Sequence, residues 1–439
     1  MPDFSNLMRI TQCKPLRGRI EVPGDKSISH RAIMLGSLAI GETRIANLLE
    51  GEDVLATIAA MRALGATIER SGKDWVVHGV GVGGLLQPRS ALDMGNSGTG
   101  ARLLMGLLAT HRITATLTGD ASLSSRPMGR VIEPLSQTGA QFFAAPGRRL
   151  PLTMKGASVP VPLDYRLPVP SAQVKSAILL SGLNTPGTTS VIEPEPTRDH
   201  TERMLRAFGA NLDIEEQDGE RHIHLRGPAD LHPNNIEVPG DPSSAAFFMV
   251  AAMLVEGSDL VIENVGLNPT RTGLLKVLRD MGGSIEELDR RDVGGEPVAD
   301  LRVRHSVLAG IDIDPGIAAS MIDEFPILFV AAALANGTTR ASGLDELRVK
   351  ESDRLAIMAN ALKQVGANVR EMPDGLVIEG TKGNPLRGGG PVETHLDHRI
   401  AMSMAVAGLV SLEGVELDDT RTVATSFPGF FERMSQAQR

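Results

Sequence analysis

An internal repeat is the feature of this sequence that most constrains its fold. Residues 20–27 read IEVPGDKS and residues 236–243 read IEVPGDPS, so nearly the same octapeptide recurs 216 residues later. Self-similarity over such a distance indicates that one half of the chain is a duplicate of the other. The sequence therefore predicts two related halves that are joined at these two segments.

A shorter repeat runs through both halves. A helical stretch that ends in glycine and continues into a β-type run occurs five times, with its glycines 70 to 84 residues apart: Gly65, Gly139, Gly209, Gly282 and Gly366. Glycine directly after a helix supplies the left-handed backbone conformation that closes it. A second helix-like segment, rich in Ala, Leu and Met, occurs six times. These segments begin near Ser29, Ser97, Ala172, Ser244, Asp323 and His398.

Each repeat reads as strand, helix, strand, helix, strand, which favours parallel crossovers within it. Three repeats in each half predict a two-domain α/β protein. The first domain is expected to span 22–238, and the second to combine 1–21 with 239–439. The hinges are expected near 20–24 and 236–241.

Composition narrows the functional classes. A net charge of −9 disfavours generic nucleic-acid binding, and a single cysteine, Cys13, excludes a disulfide framework within the chain and a cysteine-rich metal site. The sequence lacks an apolar run of membrane-spanning length and a signal-peptide core. We therefore expect a soluble cytoplasmic protein with no membrane partner.

Polar residues lie at corresponding places in the repeats, just before the Ala- and Leu-rich helix. They are Lys26-Ser27, Asn96-Ser97-Gly98, Ser171-Ala172-Gln173, Asp241 to Ser244, Asp323-Glu324 and Asp397-His398-Arg399. Any one Ser, Asn or Asp there reads as an ordinary helix N-cap. As a set they predict more: if the helices of both halves direct their N-termini at one cleft, the free N–H groups form an anion-binding surface.

Basic residues extend this interpretation. They occur in GDKSISHR (Lys26 and Arg31), SSRPMGR (Arg126), TRDH (Arg198), RVKESDRL (Lys350 and Arg354) and LDHRIAM (Arg399). Each arginine alone fits a surface salt bridge. Together they favour a cluster that binds phosphate and carboxylate groups, with Lys350 and Arg354 expected on one face of a helix because they are four residues apart.

Two carboxylates stand among these cations. Asp323 and Glu351 are placed where an acid or base could move protons, although Glu351 serves equally well as a structural counter-charge. The glycines of GVGVGG (79–84) precede no helix, which argues against a dinucleotide-binding loop. His395 and His398 have no further ligands nearby in sequence, so no metal site is expected.

The motifs GDKSISHR, GNSGTGARL, SAQVKSA, RVKESDRL and DHRIAM occur in this order along essentially the whole chain. In these segments the sequence resembles the 5-enolpyruvylshikimate-3-phosphate synthase family, and GDASLSSRPMGR, IEPEPTRDHTE, GDPSS and ATSFP resemble its bacterial class of inhibitor-tolerant enzymes. The resemblance implies the two-domain enolpyruvyl transferase fold: six βαβαββ repeats, three per domain, in an inside-out α/β barrel.

The resemblance also implies the reaction. The enolpyruvyl group of phosphoenolpyruvate would pass to the 5-hydroxyl of shikimate 3-phosphate by addition and then elimination of phosphate. This is a step of the shikimate pathway to chorismate and the aromatic amino acids. The family needs no metal or organic cofactor and is typically monomeric. The resemblance further implies that the domains close around the substrates and exclude water.

Residue roles follow from the matching motifs. The shikimate 3-phosphate site would comprise Lys26, Ser27, Arg31, Ser171, Ala172, Gln173, Arg198, Asp323 and Lys350. The phosphoenolpyruvate site would comprise Lys26, Asn96, Gly98, Arg126, Gln173, Arg354 and Arg399. The catalytic residues would be Asp323 as base toward the 5-hydroxyl, Glu351 as acid toward the methylene carbon, Lys26 and an assisting His398.

Two positions depart from the family pattern. Thr425 stands where some members have lysine before the SFP segment, and Glu346 stands where some have asparagine. The herbicide glyphosate occupies the phosphoenolpyruvate site in this family, and tolerant members can carry a larger residue at the position of Gly98. The sequence therefore predicts a glyphosate-sensitive enzyme.

Two alternatives remain open on sequence alone. The sister enzyme that transfers enolpyruvyl to UDP-N-acetylglucosamine shares the fold but typically has a Cys, less often an Asp, on a mobile loop, and GDASLSSRPMGR has no Cys. A non-catalytic binding module of the same fold would not need both Asp323 and Glu351.

Overall fold

The computed structural model describes residues 7–438. In chain order its strands and α-helices are β1 (Met8–Ile10), β2 (Arg17–Glu21), α1 (Lys26–Leu38), β3 (Ile40–Ala46), α2 (Glu52–Ala63), β4 (Thr67–Ser71), β5 (Asp74–Val80), β6 (Leu92–Asp93), α3 (Gly98–Leu108), β7 (Thr114–Thr118), α4 (Ala121–Ser125), α5 (Gly129–Ser136), β8 (Gln141–Ala145), β9 (Arg149–Lys155), β10 (Asp164–Arg166), α6 (Ala172–Gly182), β11 (Gly187–Glu193), α7 (His200–Ala207), β12 (Leu212–Gln217), β13 (Glu220–Gly227) and β14 (Ile236–Glu237). They continue with α8 (Pro242–Leu254), β15 (Asp259–Gly266), α9 (Gly273–Asp280), β16 (Ser284–Val293), β17 (Glu296–Arg304), α10 (Phe325–Leu334), β18 (Thr338–Ala341), α11 (Arg354–Gln364), β19 (Asn368–Met372), β20 (Gly375–Glu379), β21 (Pro391–Val392), α12 (His398–Leu409), β22 (Val415–Leu417) and α13 (Phe430–Gln436).

The chain divides into two compact units. Unit A comprises Gly24–Val238 together with Val293–Glu296. Unit B comprises the chain up to Pro23, Pro239–Asp292 and the chain from Pro297 onward. Each unit has its own hydrophobic core.

The sheets of unit A share one strand order. Within the described residues these sheets are β14-β3-β5-β4, β6-β7-β9-β8 and β10-β11-β13-β12. In each, the first two strands are parallel and the remaining pairs are antiparallel. In the second and third sheets the parallel pair is joined through α3 or α6, as in the strand–helix–strand crossover that the repeat predicts. In the first sheet the parallel partner of β3 is β14, from the end of the unit.

The sheets of unit B resemble those of unit A but differ in their outer strands. One has the order β2-β15-β17-β16 and contains a parallel pair between β2 and β15. In a second, β18-β20-β19, two parallel bridges (Ala309 with Asn336 and Asp312 with Arg340) stand in for the outer strand. In the third, β1-β22-β21, the N-terminal strand β1 pairs antiparallel with β22. Strand β1 (Met8–Ile10) therefore belongs to a sheet of unit B.

One helix of each repeat lies inside its unit. Helices α1, α3 and α6 in unit A, and α8, α10 and α12 in unit B, are buried along nearly their whole length. Their small side chains allow close approach. A Cβ atom at Gly106 of α3 would lie 2.7 Å from Cα of Ala177 on α6.

The repeat signals of the sequence are confirmed. All five glycines at the predicted helix ends have φ between +87° and +106°. The six inner helices begin within three residues of the predicted starts. The largest shift is at α1, which begins at Lys26 because Asp25, and not a later serine, accepts the capping hydrogen bond from the Ile28 N–H at 2.9 Å. None of the helices within residues 7–438 is long and apolar enough to cross a membrane.

The close packing of α3 on α6 gives a test of the fold. We expect Gly106→Ala to destabilise the protein by about 1–3 kcal/mol, because the new methyl group meets the backbone of Ala177 and the two helices must move apart. Gly129→Ala is the matched control, since its Cβ would meet only the flexible side chain of Arg148. Urea unfolding of both variants measures the difference. Equal stability of the two would contradict this packing.

Candidate active site

In unit A, helix α1 places a lysine and an arginine in its first two turns. Lys26 is the first residue of the helix, and its Nζ lies 2.9 Å from Oδ2 of Asp53 on α2. Arg31 is almost completely buried. Its Nη1 donates to the Ser27 carbonyl at 2.9 Å, and its Nε donates to Oγ1 of Thr201 at 2.6 Å. Burial lowers the pKa of Arg31 to about 10, so the side chain remains charged at neutral pH.

The N-terminus of α3 brings three of the predicted residues together. Ser97 caps the helix by accepting from the Gly100 N–H at 3.2 Å. Nη2 of Arg126 donates to Oδ1 of Asn96 at 2.9 Å. A Cβ at Gly98 would lie 3.0 Å from Nη1 of Arg126 and 3.1 Å from Nη1 of Arg102. Glycine at 98 therefore leaves just enough room for two guanidinium groups beside the helix end.

The N-terminus of α6 is connected to that of α3. Arg102 on α3 donates from Nη1 to Oε1 of Gln173 at 2.9 Å, and Nε2 of Gln173 donates to Oγ1 of Thr99 at 2.9 Å. Ser171 caps α6, and Ala172 is its first residue. The contacts of Gln173 fix its side chain amide between the two helix ends. Arg198 is half-buried in the loop that leads into α7.

In unit B, two cations converge on Asp323, which lies in a short 3₁₀ turn before α10. Oδ1 of Asp323 lies 3.6 Å from Nζ of Lys350 and 3.4 Å from Nη1 of Arg354. Nη1 of Arg399 donates to the backbone carbonyl of Asp323 at 3.1 Å. Three of the cations predicted from the sequence therefore contact Asp323, two at its carboxylate and one at its backbone carbonyl.

Arg354 is the centre of this arrangement. Its side chain is 1% exposed, and its nitrogens contact Asp397 (Nε to Oδ2, 2.8 Å) and Glu351 (Nη2 to Oε2, 2.5 Å) as well as Asp323. Burial alone would lower the pKa of Arg354, but Asp397, Glu351 and Asp323 together raise it above its ordinary value. Burial alone would also raise the pKa of Asp397, and the charge of Arg354 is the main cause of its net lowering. Both groups are charged at neutral pH.

Asp397 also organises the start of α12. It caps the helix by accepting from the Arg399 N–H at 2.9 Å, and its Oδ2 accepts from Oγ of Ser352 at 2.9 Å. His398, the first residue of α12, is buried. One carboxylate therefore fixes the helix end and the orientation of the Arg354 guanidinium.

The prediction that Lys350 and Arg354 share a helix face is wrong. Lys350 follows a 3₁₀ turn (Asp345–Val349), and α11 begins only at Arg354. Asp353 ends the irregular segment, because its side chain accepts from the Ala356 N–H at 3.1 Å and caps α11. The two cations meet through their shared partner Asp323 and not through helical spacing.

The two departures from the family pattern have local partners. Oε1 of Glu346 lies 3.7 Å from Nζ of Lys350, so it adds a carboxylate beside that cation. Thr425 is buried in a 3₁₀ turn and donates from Oγ1 to the Thr422 carbonyl at 2.7 Å. Its hydroxyl stabilises the turn. Thr425 supplies no positive charge at the position where some relatives have lysine.

Sequence reasoning missed three contributors to the cationic clusters of units A and B, namely Asp53, Thr99 and Arg102, and it recognised Asp397 only as a polar residue before a helix. Arg102 lies four residues after Gly98 on α3, and this spacing is the signal that could have identified it. Asp53 and Asp397 look like ordinary acids at helix starts. Their ionic partners are distant in sequence, so no local sequence pattern indicates these contacts.

Within residues 7–438, one group of side chains has the donor types for a metal ion: Asp199, His200 and Glu296, all buried in unit A. Its members already have protein partners. Nδ1 of His200 lies 2.8 Å from Oε1 of Glu296, and Nε of Arg203 donates to Oδ2 of Asp199 at 2.9 Å. These contacts explain the group without a metal ion, and the expectation of a metal-free enzyme stays a prediction.

The chemistry of both clusters suits small anions with several negative charges. Guanidinium and ammonium groups lie beside the N-termini of α1 and α3 in unit A and of α10, α11 and α12 in unit B. Free N–H groups and helix dipoles add positive potential at these places. Unit B also supplies two carboxylates, Asp323 and Glu351, in contact with cations.

Comparison with known proteins assigns the family. The pattern of EPSP synthase (3-phosphoshikimate 1-carboxyvinyltransferase) matches residues 10–434. This chain belongs to the EPSP synthase family. It is 70% identical over 436 residues to the 3-phosphoshikimate 1-carboxyvinyltransferase of Novosphingobium aromaticivorans, covering 98% of this chain and 99% of the relative. The enzyme of the same name from Zymomonas mobilis is 63% identical over 420 residues, covering 95% and 93%.

Solved structures agree with the family assignment. An EPSP synthase from Acinetobacter baumannii superimposes with a TM-score of 0.87 at 48% identity, covering 98% of both chains. The enolpyruvyl transferase NikO from Streptomyces tendae has a TM-score of 0.76 at 19% identity, covering 98% of this chain and 97% of the other. The second likeness is one of fold. The EPSP synthase fold predicted from the repeats and motifs is therefore confirmed.

A buried histidine in the first motif gives a pH test of the cationic cluster in unit A. Burial, Lys26 and Arg31 lower the pKa of His30 to about 3, so the folded protein keeps this ring neutral. The unfolded chain protonates it near the ordinary value of about 6.5. The neutral ring therefore makes its full contribution to the free energy of unfolding above about pH 6.5. Below this pH the contribution falls by up to about 1.4 kcal/mol per pH unit.

We expect wild type to lose about 2–3 kcal/mol more than His30→Gln between pH 6.5 and 4.5, measured by urea unfolding at each pH. The exposed His78 provides the control, and His78→Gln should follow wild type. Parallel pH profiles of wild type and His30→Gln would contradict a neutral buried ring.

Proposed function

We propose that this protein transfers the enolpyruvyl group of phosphoenolpyruvate to the 5-hydroxyl of shikimate 3-phosphate and releases inorganic phosphate. The observation that carries the proposal is the cluster in unit B, where Asp323 and Glu351 both contact Arg354. An anion-binding site that also holds two carboxylates fits addition and elimination on an anionic substrate. Family membership supports the same reaction.

The substrate contacts that we propose follow the sequence motifs. In unit A, Ser27, Arg31, Ser171, Ala172, Gln173 and Arg198 hold shikimate 3-phosphate, and Asn96, Gly98, Arg126 and Gln173 hold phosphoenolpyruvate. Lys26 contacts both substrates. In unit B, Asp323 and Lys350 hold the hydroxyls of shikimate, and Arg354 and Arg399 hold phosphoenolpyruvate. We also propose the domain boundaries predicted from the sequence, 22–238 and 1–21 with 239–439, with hinges near 20–24 and 236–241.

Phosphoenolpyruvate must compete with carboxylates for Arg354. In this structure the guanidinium is occupied by Asp397, Asp323 and Glu351. Asp397 is fully buried and caps α12, whereas Glu351 is about one-fifth exposed and lies in an irregular segment. Glu351 is therefore the partner that the incoming anion displaces most readily. Its carboxyl group loses a cationic contact, which favours its protonated form and prepares it as an acid.

The proton transfers then follow. Glu351 protonates the methylene carbon of phosphoenolpyruvate, which makes the neighbouring carbon electrophilic. Asp323 accepts the proton of the 5-hydroxyl as its oxygen attacks that carbon. In the second stage Glu351, now a carboxylate, takes a proton from the methyl group and the double bond re-forms. Phosphate departs from the tetrahedral intermediate with the proton that Asp323 returns. Lys26, Arg126, Arg354 and Arg399 stabilise the negative charge throughout, and His398 at the start of α12 assists.

Steady-state assays of phosphate release test the function. We expect release to require both phosphoenolpyruvate and shikimate 3-phosphate. Glu351→Gln is expected to lower kcat by about 10²–10⁴-fold, because the amide cannot deliver a proton. Glu346→Gln is the matched control, since Glu346 is a nearby acid, 3.7 Å from Nζ of Lys350, to which we assign no proton transfer. Turnover with UDP-N-acetylglucosamine and none with shikimate 3-phosphate would contradict the proposal, as would full activity of Glu351→Gln.

Gly98 provides a test of the phosphoenolpyruvate site. We propose that glyphosate binds this site and inhibits the wild-type enzyme. The methyl group of Gly98→Ala would press on Nη1 of Arg126 and Arg102, so we expect a KM for phosphoenolpyruvate raised by roughly 10-fold and weaker inhibition by glyphosate. The KM for shikimate 3-phosphate should change little. Uninhibited wild-type turnover at a large excess of glyphosate over phosphoenolpyruvate would contradict the assignment.

A further inference from the structure

A completely buried ion network lies behind the proposed phosphate-binding residues of unit A. Lys175 is on α6, one turn after Ser171, and its side chain has no solvent exposure. Its Nζ lies 2.9 Å from Oε1 of Glu193 at the end of β11 and 2.8 Å from Oε1 of Glu202 on α7. Both carboxylates are buried as deeply as the lysine.

The network also holds the loop that carries Arg198. Oε1 of Glu193 accepts from the backbone N–H of Thr197 at 2.9 Å, and the Thr197 hydroxyl donates to the same oxygen. Nζ of Lys175 donates to the Thr197 carbonyl at 3.4 Å. Both backbone groups of Thr197 are therefore fixed, and Arg198 is the next residue.

A second branch reaches Arg31. Nη2 of Arg31 donates to Oγ of Ser176 at 2.8 Å, its Nε donates to Oγ1 of Thr201, and the two hydroxyls lie 2.6 Å apart. Glu202, the partner of Lys175, also attracts Arg31, because its charge opposes the lowering of the Arg31 pKa by burial. Lys175 and Arg31 together balance the charges of Glu193 and Glu202.

We propose that Lys175, Glu193 and Glu202 form a positioning network that orients Arg198 and the N-terminus of α6 toward the phosphate of the shikimate substrate. The proposal rests on the proposed function. None of the three residues needs to touch substrate, because each acts through a neighbour that does. Buried ion pairs add little net stability compared with apolar residues of similar size, so a role in orienting the site is a better reason for this network than stability alone.

Comparing the affinities for shikimate 3-phosphate and for unphosphorylated shikimate distinguishes a role in positioning the phosphate site from a general structural role. Isothermal titration of wild type gives the ratio of the two Kd values, which measures how strongly the phosphate group is held. We expect this ratio to fall by roughly 10-fold or more in Thr197→Val, which loses the hydroxyl bond to Glu193, and in the charge-balanced double variant Lys175→Met/Glu202→Gln. The affinity for unphosphorylated shikimate should stay within about two-fold.

Two variants complete the design. Lys276→Met removes an exposed lysine of unit B that pairs with Asp280, and it should leave both affinities unchanged. Thr197→Val retains every buried charge, so it keeps the test valid if the double variant does not fold. An unchanged ratio in folded Thr197→Val, or an equal loss of affinity for both ligands, would overturn the proposal. Failure of wild type to bind shikimate 3-phosphate would instead refute the proposed function.

Discussion

The cluster in unit B depends on one buried ion pair, between Arg354 and Asp397. Water is almost completely excluded from both side chains, so each charge is tolerable only because the other is present. The pair orients the guanidinium so that its remaining nitrogens face Asp323 and Glu351. The same aspartate caps α12 and thereby sets the position of His398 and Arg399. If this pair were lost, Asp323, Glu351 and Arg399 would lose the contacts that fix their positions relative to one another.

In unit A, the arginines are oriented mainly by contacts with neutral groups. Its arginines contact amides, hydroxyls and backbone carbonyls: Arg126 with Asn96, Arg102 with Gln173, and Arg31 with Ser27 and Thr201. Carboxylates are placed one layer behind, as at Glu193 and Glu202. Lys26 differs from these arginines, since it pairs with Asp53. In unit B, Lys350 and Arg354 contact the carboxylates that the proposed chemistry needs.

Much of the fold could be predicted from the sequence because its signals are local. A glycine at a helix end and a capping residue at a helix start act within four residues, and for this reason the glycines from Gly65 to Gly366 and the six inner helices were found. The family motifs contain the residues that make up the two clusters. What a motif contains does not fix its conformation, as the segment from Lys350 to Arg354 demonstrates. Its spacing suggested one helix face, but the cap at Asp353 starts the helix only at Arg354.

The partners that define the clusters could not be predicted in this way. Asp53, Arg102 and Asp397 acquire their roles from residues that are distant in sequence, and each has an ordinary local explanation as a helix residue or cap. The buried network around Lys175 is a further case. In the sequence Lys175 is one charged residue within SAQVKSA, and only the packing of α6 against β11 and α7 reveals two buried acids beside it.

A double-mutant cycle between Arg354 and Asp397 tests the central claim most directly. Urea unfolding would be measured for wild type, Arg354→Met, Asp397→Asn and the double variant. Each single variant leaves a buried charge without its main partner and should cost about 3–5 kcal/mol. The double variant should be at least about 2 kcal/mol more stable than the sum of the two losses implies. Additive losses would contradict the claim, since they would mean that the two charges do not depend on each other.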